Sequence, residues 1–187
     1  MLAEVVALVV DGGHDLENAV RRAARSRGIS LQQARPLLAT VHQAIAEYRA
    51  LFRPQQLEQL RERRELARQA MQTFEVFRPR LAGALVRGDG PLERIRLLLV
   101  AETPEQVAMH LADRHMPWRE SAIELHYSGG RRLMQPALLF VAGDTTVELV
   151  ILDAGSHSDP PRDPITGGRL ATLDAAALDA LLLPAPT

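Results

Sequence analysis

The sequence predicts an α+β protein with two parts: a helical module over residues 1–78, then a small mixed or antiparallel sheet with flanking helices over 79–187. Three observations predict it. Apolar residues in the first part recur at helical spacing, whereas in the second they come in alternating or continuous runs separated by Gly-containing turns. The charge also changes sign between the parts, with 13 arginines against 9 acidic residues over 1–80 and 9 against 14 over 81–187.

The elements follow in order. Leu2 to Val10 reads as a short helix closed by Asp11-Gly12-Gly13, and Asp15 caps a second that stops near Gly28. Ser30 and Gln33 form a capping box, and Pro36 restarts the helix before Leu37, Leu38, Val41, Ala44, Ile45, Tyr48 and Leu51 mark an apolar stripe ending at Phe52. After Pro54 another helix carries the stripe Leu57, Leu60, Leu66, Ala67, Ala70, Met71 and Phe74. Arg61, Arg63, Arg64 and Arg68 on its other face, interleaved with Glu58, Glu62 and Glu65, read as a solvated, self-paired surface.

In the second part Leu81 to Val86 reads as a strand running into the turn Gly88-Asp89-Gly90, with Arg94 to Val100 as the next strand. Thr103-Pro104-Glu105-Gln106 is a helix start with a cap, an N1 proline and a capping-box glutamine. Three strands in antiparallel succession are then expected around Ile123–Tyr127, Leu133–Val141 and Thr146–Leu152, turning at Ser128-Gly129-Gly130 and Gly143-Asp144. Pro136 requires a bulge or an edge in the middle one. Residues 154–169 read as an irregular loop, and Thr172 as the cap of a last helix, Leu173 to Leu183, stopped by Pro184.

Composition removes whole function classes. The sequence contains no cysteine, so disulfides, thiolate nucleophiles and Cys-rich zinc sites are excluded, and all 22 basic residues are arginine, which excludes a P-loop or Schiff-base lysine. The Met1–Val10 run contains Glu4, has no positive flank and is too short to span a bilayer, so no membrane segment is expected and the cytoplasm is the expected location. Among smaller clusters, His157-Ser158-Asp159 with Asp163 sits between prolines and reads as a solvated loop, His110 and His115 are five apart rather than at the helical metal-pair spacing, and no nucleophile elbow exposes Ser121 or Ser158.

The segment Pro79 to Val100, PRLAGALVRGDGPLERIRLLLV, carries the functional signal. Its layout resembles the DNA polymerase beta type of nucleotidyltransferase, in which a Gly-Ser or Gly-Gly turn follows one strand and the next opens Asp-x-Asp. Beyond it, the chain from Ala19 to Leu183 resembles a family of small bacterial nucleotidyltransferase-like proteins through AEYRALF, FRPRLAGALV, ETPEQVAMHLADR and VELVILD. The resemblance implies the nucleotidyltransferase fold, with Glu148 where a third acidic residue falls. Arg94 and Arg96 stand where the two aspartates belong. Alternating strand residues point the same way, so two arginines there aim guanidinium donors, not Mg²⁺ ligands, at one place.

Three functions remain open. A protein without transferase activity would bind or regulate, with Gly88, Gly90, Arg94 and Arg96 taking a nucleotide or a phosphorylated small molecule and no cofactor. An active enzyme would need Mg²⁺ on a rearranged site of Glu148, Asp89 and Glu93. A structural protein would form homo-oligomers through its amphipathic helices. Arg94 and Arg96 either fork around an anion or pair with Glu148, and nucleic-acid binding is expected to be weak or absent.

Overall fold

The computed structural model describes residues 1–153, 155 and 158–183 and has the expected α+β class. His157 of the His-Ser-Asp cluster and the stop at Pro184 lie outside the described residues.

Four helices build the first layer: α1 (Leu2–Val10), α2 (Leu16–Ser26), α3 (Leu31–Ala34) and α4 (Leu38–Phe52). Their starts are encoded locally, since the Asp15 side chain accepts from the Asn18 N–H at 2.8 Å and Ser30 and Gln33 complete the capping box. Val5, Val9, Ala19, Val20, Val41 and Ile45 form a core of their own here.

The long helix α5 (Pro54–Thr73) belongs by packing to the sheet, because Leu60, Ala67, Met71 and Phe74 join the core of the second part. Its arginines correct the expectation of a self-paired, solvated face. Only Arg61 pairs along the helix, with Glu65; Arg63 makes a two-pronged contact with Asp144, Arg64 donates to the Leu85 and Val86 carbonyls, and Arg68 pairs with Asp179.

Beyond α5 come β1 (Arg80–Ala82), the single-turn helix α6 (Ala84–Arg87), β2 (Arg94–Val100), α7 (Pro104–Ala112), β3 (Arg119–His126), β4 (Arg132–Ala142), β5 (Thr145–Leu152), β6 (Thr172–Leu173) and α8 (Ala175–Leu182). The six strands form one sheet in the order β3-β4-β5-β2-β1-β6, in which only β2 and β5 run parallel. Ile95, Leu97, Leu99, Val147, Leu149 and Phe140 pack one face on α5, α7 and α8. The opposite face carries Arg94, Arg96 and Leu98 of β2 with Glu148, Val150 and Leu152 of β5, as the period of two requires. No helix among the described residues is long and apolar enough to cross a membrane.

Several boundaries differ from the expectation, among them the start of β3, at Arg119 rather than Ile123. The apolar run Leu81–Val86 is not one strand. Gly83, at φ +78°, ends β1, and the next residues coil into α6, where Leu85 is buried. Leu173 belongs to β6, paired with Leu81, and Asp174 rather than Thr172 caps α8, its side chain accepting from the Ala177 N–H at 2.9 Å. At α7 the Gln106 side chain reaches back to the Glu102 N–H, one residue outside the box expected with Thr103. Pro136 is accommodated at an edge, as it requires: β4 pairs with β5 only from Ala137 onward.

Residues between β5 and β6 tie the layers together. Ile165 inserts into the helical core, and its carbonyl accepts from Arg35 Nε at 2.8 Å.

Candidate functional site: an arginine-lined cleft between the helices and the sheet

Arg96 and Glu148 stand opposite each other in register on the parallel strands β2 and β5. Arg96 Nε donates to Glu148 Oε2 at 2.5 Å, and Arg94 Nη1 lies 3.4 Å from Oε1. Glu148 is buried, with 5% of its side chain exposed, while Arg96 keeps 30% and Arg94 53%. A carboxylate this deep requires its charge partners. Both arginines therefore meet Glu148 and still reach solvent.

The solvent they reach is a cleft. Three adjoining cavities, of about 410, 350 and 420 Å³, each have Gly83 and Arg96 in their walls. The first adds Arg21 of α2, Arg132 of β4, Arg162 and His126. The second runs past Asp15, His42, Arg87, Asp89 and Gly90, and the third past Glu93, Arg94 and Thr146. The helical layer forms one wall and the sheet the other.

Gly88 and Gly90 serve another group. Arg49, 2% exposed at the end of α4, donates through Nη1 to the Gly88 carbonyl and through Nη2 to the Gly90 carbonyl at 2.9 Å, with Nε on Gln56 at 3.0 Å. The Gly88 and Asp89 N–H groups both point back to the Ala84 carbonyl, at 2.7 and 3.2 Å. The loop thus turns its carbonyls to an arginine. At φ +68°, with a Cβ that would sit 2.7 Å from Leu60 Cδ2, Gly88 has room for no side chain.

Asp89 and Glu93 act on the same cation only through their charge. Burial lowers the Arg49 pKa from its ordinary value, and the negative charges of Asp89 and Glu93 oppose that shift. Asp89 also lies 3.1 Å from His42 Nδ1, while Arg87 Nη1 is 2.9 Å from His42 Nε2. With Nε2 accepting from Arg87, the ring proton sits on Nδ1 facing Asp89, although the angle there falls short of a good hydrogen bond. Among the described residues no three His, Asp or Glu side chains come close enough to share a metal ion.

Of the remaining sequence candidates, His110 and Ser158 lie apart from the cleft, whereas Asp163 is in the wall of its second cavity. His110 sits between Phe74 and Phe77 with Nε2 2.7 Å from the Thr73 carbonyl, and Ser158 Oγ donates to Gly155. Asp163 accepts from the Ile165 and Thr166 N–H groups, which shapes its turn. Arg21, Arg132, Arg162 and His42, which line the cleft, carry no local motif. Gly83 did carry one: a lone glycine inside an apolar run marks a break.

No protein-family model, curated protein or solved structure matches the chain.

Proposed function

We propose that this is a nucleotidyltransferase-like binding protein of the cytoplasm that holds a nucleotide or other phosphorylated small molecule at Arg96, without nucleotide transfer and without Mg²⁺. The observation that carries the reading is the division of labour within Arg96. Its Nε is committed to Glu148, and its Nη groups have no other partner among the described residues while the side chain lines all three cavities. A guanidinium anchored on one edge presents its outer edge in a fixed orientation, the geometry that suits a phosphate. Arg162 in the adjoining cavity, whose Nε is buried without a partner among the described residues, supplies a further donor, while Arg21 and Arg132 there are paired with Glu17 and Glu124.

The donor set speaks against a metal-dependent enzyme. Glu148 already pairs with two guanidiniums, a group that keeps a net positive charge, and a divalent cation there would sit within a few ångströms of both, where like charges repel by roughly 4 kcal/mol per unit pair at 4 Å and an effective dielectric of 20. Asp89 faces His42 Nδ1 at 3.1 Å, and among the described residues Asp89, Glu93 and Glu148 do not gather as a metal-binding group. Three of the four α5 arginines, Arg63, Arg64 and Arg68, are engaged with Asp144, the Leu85 and Val86 carbonyls and Asp179, which supports weak nucleic-acid binding at most.

Calorimetry in EDTA with ATP, UTP and pyrophosphate tests the proposal. At least one of these anions should bind, and Arg96→Gln should weaken it at least tenfold. Binding that needs Mg²⁺, or metal-dependent nucleotide transfer abolished by Glu148→Gln, overturns it in favour of the enzyme.

A further inference from the structure

A second cavity opens on the same sheet face, two residues along β2 from Arg96, with Leu170 in the walls of both. Its floor is Leu98 and Val100 of β2 and Leu152 of β5, its roof Pro160, Pro161 and Leu170. Arg78, Arg80 and Arg169 stand around it, and among the described residues no acidic side chain is in its lining.

These three arginines differ in how they are held. Arg80 is fixed, with Nε donating to Thr172 Oγ1 at 2.8 Å and Nη1 3.5 Å from Asp174. Arg78 and Arg169 are exposed and have neither a hydrogen bond nor an ion pair from their side chains among the described residues. Arg78 also adopts the left-handed conformation, φ +49° and ψ +58°, which a non-glycine residue enters at a cost. Many arginines that meet the core or the sheet find carboxylates or carbonyls, as Arg49, Arg63, Arg64, Arg68, Arg94 and Arg96 do. Arg22, Arg25 and Arg119 stand exposed without a side-chain partner among the described residues, as Arg78 and Arg169 do, but only the latter two flank an apolar floor beside a third arginine. Gathering two unpaired guanidiniums beside a third over an apolar floor leaves a charge that a bound anion would satisfy.

We propose that this cavity is a binding site for a short-chain aliphatic carboxylate, with Arg78 and Arg169 clamping the carboxylate and Leu98, Val100 and Leu152 receiving the hydrocarbon. The size limits the tail. The cavity volume is about 80 Å³. An engineered apolar cavity of about 150 Å³ holds benzene, so this one suits a branched tail of about four carbons rather than an aromatic ring. An apolar tail in water gains by burial here, which distinguishes this ligand from inorganic phosphate or acetate. The site is independent of the anion cleft at Arg96, and neither proposal requires the other.

Isovalerate is the probe. Titrated into the ¹⁵N-labelled full chain, it should shift the amides of Leu98, Val100, Leu152 and Leu170 and bind at least tenfold more tightly than acetate or inorganic phosphate. Arg78→Asn with Arg169→Gln should weaken isovalerate at least tenfold at unchanged Tm, since asparagine tolerates the left-handed backbone and neither side chain supports the fold. Affinity equal to that of acetate or phosphate, shifts confined to other residues, or affinity unaffected by the double change each overturns the proposal.

Discussion

Arg96 Nε and Glu148 Oε2, 2.5 Å apart on neighbouring parallel strands, form the charge pair on which both the sheet and the cleft depend. Glu148 pairs with two cations while itself almost wholly buried, so replacing it removes the anion from two guanidiniums at once. Glu148→Gln should destabilise the protein by about 2 kcal/mol in urea unfolding, below the ~3–5 kcal/mol typical of a fully buried pair because both arginines are partly screened by solvent. An unchanged midpoint and slope would show that the pair is only incidental to the fold.

Arg49 makes a stronger case for structure. It is buried and spends its donors on Gly88, Gly90 and Gln56, so Arg49→Met leaves two carbonyls without partners at an apolar site. Each unsatisfied group costs about 1–3 kcal/mol. We expect a loss of about 3 kcal/mol or more, and no rescue by Arg49→Lys, whose single ammonium cannot span both carbonyls. Full stability in the lysine variant would contradict the two-carbonyl account.

Ile165 ties the loop before β6 to the helical core. Ile165→Ala should cost about 2–4 kcal/mol by analogy with other buried aliphatic truncations. Hydrogen exchange locates the effect: amides of 158–171 should lose protection before those of β2 and β5. Uniform loss across the sheet would mean the loop is not a separate strap.

Local chemistry made much of this fold readable. Asp15, Ser30 with Gln33, and Gly12-Gly13 mark helix ends by side chain or turn, and each performs that role in the structure. Leu81–Val86 misled because a six-residue apolar run has no periodicity that separates a strand from a helical turn; only Gly83 distinguishes them. Thr172 and Asp174 can each cap a helix, and pairing of Leu173 with Leu81, a contact 92 residues away, decides for Asp174. The Arg94, Arg96 and Glu148 grouping was legible as strand alternation. The rest of the cleft was not, since Arg21, His42, Arg132 and Arg162 meet only through tertiary packing. The four arginines of α5 look alike in sequence, and what each faces is set by the elements packed on that helix.

Arg63 of α5 and Asp144 of the β4–β5 turn give a prediction with a definite sign in pH. Hydrogen bonds from Arg63, with further help from Thr145 and the Arg63 charge, hold the Asp144 carboxyl below its ordinary range. A depressed carboxylate stabilises the fold at pH values above its unfolded pKa, about 3.9 for aspartate, and that contribution disappears as the pH falls through the lower folded value. The wild-type protein should therefore lose this contact only in strong acid. In Arg63→Gln the Asp144 carboxyl, followed by ¹³C NMR, should titrate at a higher pH than in the wild type, with the Thr145 hydrogen bond still in place. The difference in Tm between the two proteins should be present at pH 7 and shrink below pH 4. Because Asp144 is 77% exposed, salt should also reduce that difference at neutral pH. A carboxyl that titrates identically in both proteins would mean that Arg63 and Asp144 are neighbours without an electrostatic bond in solution.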